Sequence, residues 1–222
     1  MEHLLSALAL LCLLVQSFVT GARAESGPTN KPLTLAQVWS LDATYRDPTH
    51  GVTFRYPSVW RPTTELAFHA PALEHSFALP IAEFAYDEDG FPRDRAQIIG
   101  PYSSTNLEAV GILYSAINAP DMAKCREMAA SLTSKDNNRH ATVVFGGRSF
   151  FEFETGEDGM MQSISGSLYA TYANHTCYLF ETDVAVADDT TDIDHPLTKG
   201  RLRYIFAHLE RIMKSVRISW PR

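Results

Sequence analysis

Cysteine and positive charge are scarce in this chain. Its 222 residues contain three cysteines, and 19 lysines or arginines stand against 26 aspartates or glutamates, so the formal net charge at pH 7 is -7. An acidic balance of this size argues against nucleic acid as a partner. Internal repeats and low-complexity tracts are also missing after residue 24. The length that remains suits one domain with a sizeable core.

The longest hydrophobic run lies at the N-terminus, from Leu4 to Val19, and leads into residues 21–24, Gly-Ala-Arg-Ala. These small residues have the spacing of a signal-peptidase site, so we predict that residues 1–24 are a signal peptide cleaved after Ala24. The protein is then secreted or periplasmic, with no stable membrane span. The n-region lacks Lys and Arg, which leaves a retained anchor as the alternative, although the run is short for a span.

Two cysteines remain after this cleavage, Cys125 and Cys177. Neither belongs to a CxxC motif, and an even pair in an oxidising compartment favours one disulfide. Such a bridge closes a loop of roughly 50 residues and stabilises the fold by about 4 kcal/mol in the chain-entropy model. Two buried thiols are the alternative. A disulfide would leave no thiol for a Cys–His enzyme.

Residues 25–44 are predicted to be an N-terminal lead-in, and residues 45–222 a single globular domain. Strict alternation of Val52, Phe54 and Tyr56 predicts a strand. The remaining pattern predicts strands in the apolar runs 77–86 and 109–114, a helix that opens at 119–121, a meander of strands at roughly 142–154, 160–172 and 176–182, a helix at about 197–213 and a closing strand at 215–220.

Both faces of the last meander strand carry apolar side chains, because Cys177 and Leu179 alternate with Tyr178 and Phe180. Each side of the sheet must therefore be covered by another layer. The helical spacing after residue 121 places Cys125 on an apolar stripe that faces the core. The predicted fold class is α+β, with a twisted, largely antiparallel central sheet and helices on both faces.

Residues 47–60 read Asp-Pro-Thr-His-Gly-Val-Thr-Phe-Arg-Tyr-Pro-Ser-Val-Trp. This stretch resembles the opening hairpin of PsbP/Mog1-like proteins, with its G-aromatic-x-aromatic-x-Y-P-x-x-W pattern, and the C-terminal helix followed by residues 212–218 is similar to the family's closing helix and strand. The likeness in order of elements spans roughly residues 45–220. It implies an α/β/α sandwich and a class of mostly non-catalytic accessory or adaptor subunits. None of the family's binding residues matches onto this chain.

His69, Glu74 and His75 lie within seven residues and superficially suggest a zinc site. The histidines of the helical metalloprotease motif are four residues apart, whereas these are six apart and Pro71 interrupts any helix. A surface loop is the favoured interpretation.

An acidic stretch after the meander offers oxygen ligands of the kind that calcium prefers: Asp183, Asp188, Asp189, Asp192, Asp194 and His195. It lacks the glycine and the final glutamate of an EF-hand loop. We interpret it as a solvated loop whose last carboxylates lie near the N-terminus of the following helix.

Three further motifs have simpler explanations than catalysis. Glu152 and Glu154 share one strand face, where a solvated pair is favoured over acid/base work. Residues 163–167, Ser-Ile-Ser-Gly-Ser, lie in a predicted strand and do not fit a nucleophile elbow. Asn174 begins an Asn-His-Thr glycosylation sequon at a predicted hairpin turn, which matters only in a eukaryotic host.

Several large aromatic residues raise the question of a ligand pocket: Trp39, Trp60, Trp220, Tyr102 and Tyr114. Large aromatics at strand ends more often fill the core, and we expect that here.

The sequence thus predicts no catalytic residue, no cofactor and no metal ligand. We expect an exported, non-catalytic PsbP/Mog1-like domain that binds a protein or small-molecule partner at the cell envelope, and no nucleic acid. The alternative is a metal-assisted hydrolase whose ligands, His69, His75 and the acids of residues 183–195, come together only in the folded chain.

Overall fold

The computed structural model describes residues 33–62, 82–87, 101–102, 104–133, 140–159, 162–188 and 196–219. All described residues belong to one compact unit, Lys31–Arg222. The described residues form these helices and strands: α1 (Leu35–Val38), β1 (Ala43–Asp47), β2 (Val52–Tyr56), β3 (Arg61–Pro62), β4 (Ala82–Asp87), β5 (Leu107–Asn118), α2 (Met122–Leu132), β6 (His140–Phe145), β7 (Arg148–Asp158), β8 (Gln162–Ala173), β9 (Thr176–Ala187), α3 (Lys199–Ser215) and β10 (Arg217–Ile218).

Seven strands form an antiparallel sheet in the order β3-β4-β5-β9-β8-β7-β6. Its centre consists of β5, β9 and β8, each 12 residues long. The turn predicted between β8 and β9 is present at Asn174 and His175, whose φ angles are 45° and 59°. Asparagine and histidine adopt this left-handed region more readily than most residues with side chains.

Two of the differences from the predicted strand boundaries have a clear local cause. The stretch 142–154 is not one strand, because Gly146 and Gly147 make a tight turn between β6 and β7 with φ angles of 57° and 79°. Glycine reaches these angles at little steric cost, and the apolar residues on both sides of the pair conceal the turn from a periodicity analysis. The strand β9 also continues past Thr182 to Ala187, so an acidic residue is built into it.

A smaller antiparallel sheet has the order β1-β2-β10. The backbone N–H of Ser219 donates to the carbonyl of Gly51 at 2.9 Å, which fastens the β1–β2 turn to the C-terminal strand. Gly51 has a φ of 65°, and a side chain there would collide with the carbonyl of Ser219. This close approach requires glycine at position 51.

The helix α1 lies in the stretch that we expected to be a lead-in. A capping box at Thr34 starts it, and the residues that follow enter the core. Val38 is fully buried and its carbonyl accepts a hydrogen bond from the indole of Trp60 at 2.9 Å, while the indole of Trp39 donates to the hydroxyl of Tyr102 at the same distance. As expected, these aromatic residues are core residues.

The large sheet has two different faces. One, which we call the aromatic face, carries Tyr114 and Phe180 and is covered by the small sheet, α1 and α3. The other, the disulfide face, carries Leu113, Cys177 and Leu179 and is covered by α2. Alternation along β5 and β9 sends neighbouring side chains to opposite faces. The predicted α+β fold, with helices on both sides of a largely antiparallel sheet, is confirmed.

A disulfide joins Cys125 of α2 to Cys177 of β9, with 5.2 Å between the Cα atoms, as we expected for this pair. The side chain of Asp121 starts α2 by accepting a hydrogen bond from the backbone of Lys124 at 2.8 Å. Because the bridge joins residues 52 positions apart, it fixes the helix to the centre of the sheet.

The helix α3 begins after Thr198, whose side chain accepts a hydrogen bond from the backbone of Arg201. It buries Ile205, Leu209 and Ile212 against the aromatic face, as the amphipathic pattern predicted. The closing strand β10 is shorter than expected because α3 continues through residue 215. No helix in the described ranges is long and apolar enough to cross a membrane.

Candidate functional site

Positive charge is concentrated in the last described segment of the chain. Residues 199–219 contain six lysines or arginines and one acidic residue, Glu210, although the whole protein has a net charge of -7. The helix α3 and the strand β10 bring these residues beside the small sheet. The remaining described strands and loops carry the acidic excess.

A cavity of about 560 Å³ opens between α3 and the outer side of the small sheet. We call it the basic groove, and its lining consists of Leu41, Thr44, Thr53, Phe54, Arg55, Arg211, Lys214, Ser215 and Arg217. Four of these side chains are cationic and none is acidic. Phe54 and Leu41 add an apolar contribution, so the groove combines positive charge with a hydrophobic surface.

Strand alternation and one serine build this groove. Along β2, Phe54 is buried in the core and Arg55 is exposed on the opposite side. The hydroxyl of Ser215 accepts a hydrogen bond from the backbone N–H of Arg55 at 2.8 Å and donates to the carbonyl of Ile212 at 2.6 Å. The C-terminal turn of α3 is thereby held against β2, and Arg211 and Lys214 line the same cavity as Arg55.

The positive charge of the groove is only partly neutralised. Lys214 forms an ion pair with Glu210 at 2.9 Å, and both side chains are about half exposed, so water screens the pair. Arg217 donates from Nη1 to the carbonyls of Lys214 and Val216, each at 2.8 Å, which stabilises the C-terminus of α3. In the described part of the chain no carboxylate forms an ion pair with Arg55 or Arg211.

A second cavity, also of about 560 Å³, adjoins the groove. We call it the hairpin cleft, because it lies between the β6–β7 hairpin, β8 and β10; its lining includes Met122, Phe145, Arg148, Tyr172, Arg217 and Ile218. Gly146 allows the hairpin to approach β10, since a side chain there would meet the carbonyl of Val216 and the guanidinium of Arg217. Arg217 lines both cavities.

Asp47 and His50 form the pair that most resembles catalytic machinery among the described residues. The ring Nδ1 of His50 lies 2.7 Å from Oδ2 of Asp47, and the hydroxyl of Tyr114 donates to the same oxygen at 3.1 Å. The other carboxylate oxygen accepts from the backbone N–H groups of Thr49 and His50. The carboxylate therefore closes the β1–β2 turn and anchors it to β5, a structural arrangement.

The electrostatics of Asp47 agree with that role. Burial alone would raise the pKa of the Asp47 carboxyl, but the hydrogen bonds from the ring and backbone of His50, the charge of His50 and the bond from Tyr114 outweigh it and lower the pKa. Burial also raises the pKa of the Tyr178 hydroxyl to about 12. That hydroxyl donates to the carbonyl of His50 at 3.2 Å.

The prediction that Asp183 begins a solvated loop is wrong. Asp183 is fully buried within β9, with glycine opposite it on both neighbouring strands, Gly111 on β5 and Gly166 on β8. Its Oδ1 accepts a hydrogen bond from Thr155 at 3.3 Å, and within the described residues Oδ2 has no hydrogen-bond partner. Burial, and then the charge of Glu181, raise the pKa of Asp183, while Thr155 opposes the shift.

The structure does not bring the candidate metal ligands together where it can be described. Most of the candidate ligands lie outside the described residues, namely His69, Glu74, His75 and residues 189–195, as does Trp220. Among the residues that the structure does describe, no three His, Cys, Asp or Glu side chains are placed to hold a metal ion. Glu154 is exposed, as expected, whereas Glu152 is partly buried and accepts from Ser167 at 3.4 Å.

The basic groove was not predicted from the sequence. A signal was present, because residues 199–219 have six basic residues against one acidic residue in an otherwise acidic chain. The sequence could not show that Arg55 lies beside these residues. Arg55 is 160 positions from Ser215, to which its backbone is hydrogen-bonded. Asn174, the sequon residue, is exposed at its turn.

Comparison with known proteins gives matches among solved structures alone, since no family model and no curated protein matches the chain. LpqN, involved in cell envelope biogenesis of Mycobacterium tuberculosis, has 14% identity and a TM-score of 0.42 over 87% of this chain and 100% of LpqN. The Ran-binding protein Mog1p of Saccharomyces cerevisiae has 11% identity and a TM-score of 0.41 over 79% of this chain and 94% of Mog1p.

A protein of Bacteroides thetaiotaomicron matches with 13% identity and a TM-score of 0.41 over 80% of this chain, which spans about half (48%) of the Bacteroides chain. Mog1p belongs to the group of proteins that the sequence resembles, and it is among the matched structures. At these TM-scores the likenesses have no bearing on function.

Proposed function

We propose that this protein is an exported, non-catalytic binding domain that recognises an anionic partner through its basic groove. The observation that supports the proposal is the groove itself. Four cationic side chains line one cavity of a protein whose net charge is -7, and two of them, Arg55 and Arg211, have no carboxylate partner among the described residues. Charges with no structural role to fill favour an electrostatic function.

The groove is suited to binding because the segments that carry its cations are fixed in place, while most of the cationic groups are not neutralised by ion pairs among the described residues. The backbone bond between Arg55 and Ser215 sets the distance between β2 and α3. Arg217 uses one of its nitrogens on the end of α3, which leaves further N–H donors of its guanidinium for a ligand. Guanidinium groups bind carboxylates and phosphates with two parallel hydrogen bonds, so three arginines in one groove favour such ligands.

Export is part of the same proposal. It is supported by the hydrophobic run of residues 4–19, by the Ala-Arg-Ala sequence that ends at residue 24 and by the disulfide of the domain. Intact mass of protein from the secreted or periplasmic fraction tests it: we expect a chain that begins at Glu25 and whose two cysteines alkylate only after reduction. A full-length chain with free thiols would contradict export.

Retention on immobilised heparin, used as a general polyanion, tests the groove. We expect the double variant Arg55→Glu/Arg211→Glu to elute at distinctly lower salt than the unaltered protein. The matched control is Arg201→Glu/Arg203→Glu, which changes the net charge equally at exposed positions of α3 outside the groove. Equal losses for the two variants would show that net charge alone acts, and would contradict a groove-specific function.

A further inference from the structure

The basic groove and the hairpin cleft lie side by side, because Arg217 lines both. They differ in character. The groove has four cations beside Leu41 and Phe54, whereas the cleft has two, Arg148 and Arg217, beside polar residues and a larger set of apolar side chains. A ligand that fills both cavities can therefore place negative charge against the cations of the groove and an apolar group against the apolar side chains of the cleft.

The separation of Arg55 and Arg217 matches the distance between alternate residues of an extended peptide. Arg217 of β10 pairs with Thr53 of β2, and Arg55 lies two residues further along β2 on the same exposed side. From strand geometry the Cα atoms of Arg55 and Arg217 are about 8 Å apart. Alternate residues of an extended peptide are separated by about 7 Å. Acidic side chains at alternate positions would therefore meet successive arginines.

The cleft offers an anchoring site beyond the last of these cations. Met122 is 39% exposed although it is large and apolar, and Phe145 and Ile218 line the same cavity. Methionine adapts its shape to different partners, so it suits a site that receives an aliphatic or aromatic side chain. Arg148 at this end also extends the positive surface past Arg217.

Resting on the proposed function above, we propose that the groove and the cleft together bind an extended acidic segment of a partner protein. Acidic residues at alternate positions lie over Arg55 and Arg217, and an apolar residue enters the cleft. A flat membrane surface fits these concave cavities less well. Of the exposed large hydrophobic residues in the described ranges, Leu35, Met122, Val144 and Tyr204, Met122 alone lines either cavity.

Fluorescence polarisation with a labelled synthetic peptide tests this inference. The peptide has three aspartates at alternate positions and, two positions further on, a phenylalanine. Replacing the aspartates with asparagines is expected to weaken binding at least about tenfold, because the charge complementarity is lost. Placing the same aspartates next to one another, or replacing the phenylalanine with alanine, is expected to weaken binding about three- to fivefold.

Two protein variants assign the ends of the peptide. Arg55→Glu/Arg211→Glu should abolish measurable binding of every peptide that contains aspartate. Ser149→Trp should fill the cleft, because Ser149 is exposed and lines it, while its carbonyl still accepts the bond from Thr171. This variant should bind the phenylalanine and alanine peptides equally. Arg201→Glu/Arg203→Glu is the control, and thermal unfolding establishes that each variant is folded.

The outcomes separate this inference from the proposed function. If heparin retention depends on the groove but no peptide binds, the acidic-segment inference is overturned and the proposed binding of an anionic partner stands. The same conclusion follows if the spacing of the aspartates has no effect on peptide binding. Binding to phosphatidylserine vesicles in preference to the peptide overturns it in favour of a membrane partner. If neither heparin nor peptide responds to the groove variant, both proposals fail.

Discussion

The two faces of the large sheet hold the fold together by different means. The aromatic face buries large rings, and Phe180 lies 5.0 Å from Tyr114 and 6.3 Å from Phe54, between ring centroids. The disulfide face is built from smaller side chains, among them Ala109 and Ala129, together with the Cys125–Cys177 bridge. Rings bury much apolar area, whereas alanines bury little, and the covalent link supplies stability on the side where packing supplies less.

The same contrast appears in the buried carboxylates. Asp47 lies on the aromatic side of the sheet and accepts hydrogen bonds on both oxygens, and its pKa is lowered. Asp183 lies on the disulfide side with one hydrogen bond among the described residues, and its pKa is raised. Burial raises the pKa of both carboxyls, but at Asp47 the hydrogen bonds and the charge of His50 outweigh it, whereas at Asp183 the charge of Glu181 adds to it and the bond from Thr155 does not offset it.

The largest effect is expected on the aromatic face. Phe180→Ala removes a fully buried ring that contacts Tyr114, Phe54 and Phe150, and should lower the free energy of unfolding by about 4 to 5 kcal/mol. Leu179 is the preceding residue and lies on the opposite face. Leu179→Ala should lower the free energy of unfolding by about 3 kcal/mol. Urea unfolding of both variants measures the difference. A larger loss for Leu179→Ala would reverse the comparison of the faces.

Removal of the bridge is the second prediction. Cys125→Ala/Cys177→Ala should lower the free energy of unfolding by about 3 to 4 kcal/mol, because the unfolded chain regains the freedom of a long loop. Calorimetry with and without reductant measures it, and reductant should lower the Tm of the unaltered protein but not of the variant. An unchanged Tm in reductant would show that the bridge does not stabilise the disulfide face.

Asp47→Asn should cost about 2 kcal/mol at pH 7, because the bonds from His50 and Tyr114 lose a charged acceptor. The folded pKa of Asp47 lies below its unfolded value, so its contribution is present above about pH 4 and is lost as the pH falls through the folded pKa. The difference between variant and unaltered protein should therefore narrow at acid pH. Urea titrations at several pH values test this, and a constant difference would contradict it.

The smallest expected effect is that of Asp183→Asn, which should raise the free energy of unfolding, whereas the other substitutions lower it. The folded pKa of Asp183 lies above its unfolded value, so the native state binds more protons and this group lowers stability as the pH rises above about 4. Asp183→Asn should add about 1 kcal/mol at pH 7 and nothing near pH 4, because the amide removes the cost of either protonating or burying the carboxylate. Exposed Glu154→Gln is the control. Destabilisation at pH 7 would show that the carboxylate contributes more through its bonds than its burial costs.

Much of the secondary structure was accessible from local pattern. The amphipathic spacing of Ile205, Leu209 and Ile212 predicted α3 almost to its ends, and alternation in Val52, Phe54 and Tyr56 predicted β2. The errors arose where contacts between distant parts of the chain override the local sequence pattern. Asp183 reads as a loop residue because the sequence cannot show that β5 and β8 each place a glycine opposite it.

By itself, the sequence determined the α+β class, the helix α3 and the burial of the tryptophans at positions 39 and 60, because these depend on period, composition and residue size. It favoured the disulfide over two buried thiols, and the folded chain brings the two cysteines together. Only the tertiary structure decided the candidate site. Arg55 and Arg211 come from segments more than 150 residues apart, and the antiparallel pairing of β10 with β2 brings the two segments together. Charge is visible in a sequence, but its concentration at one place requires the fold.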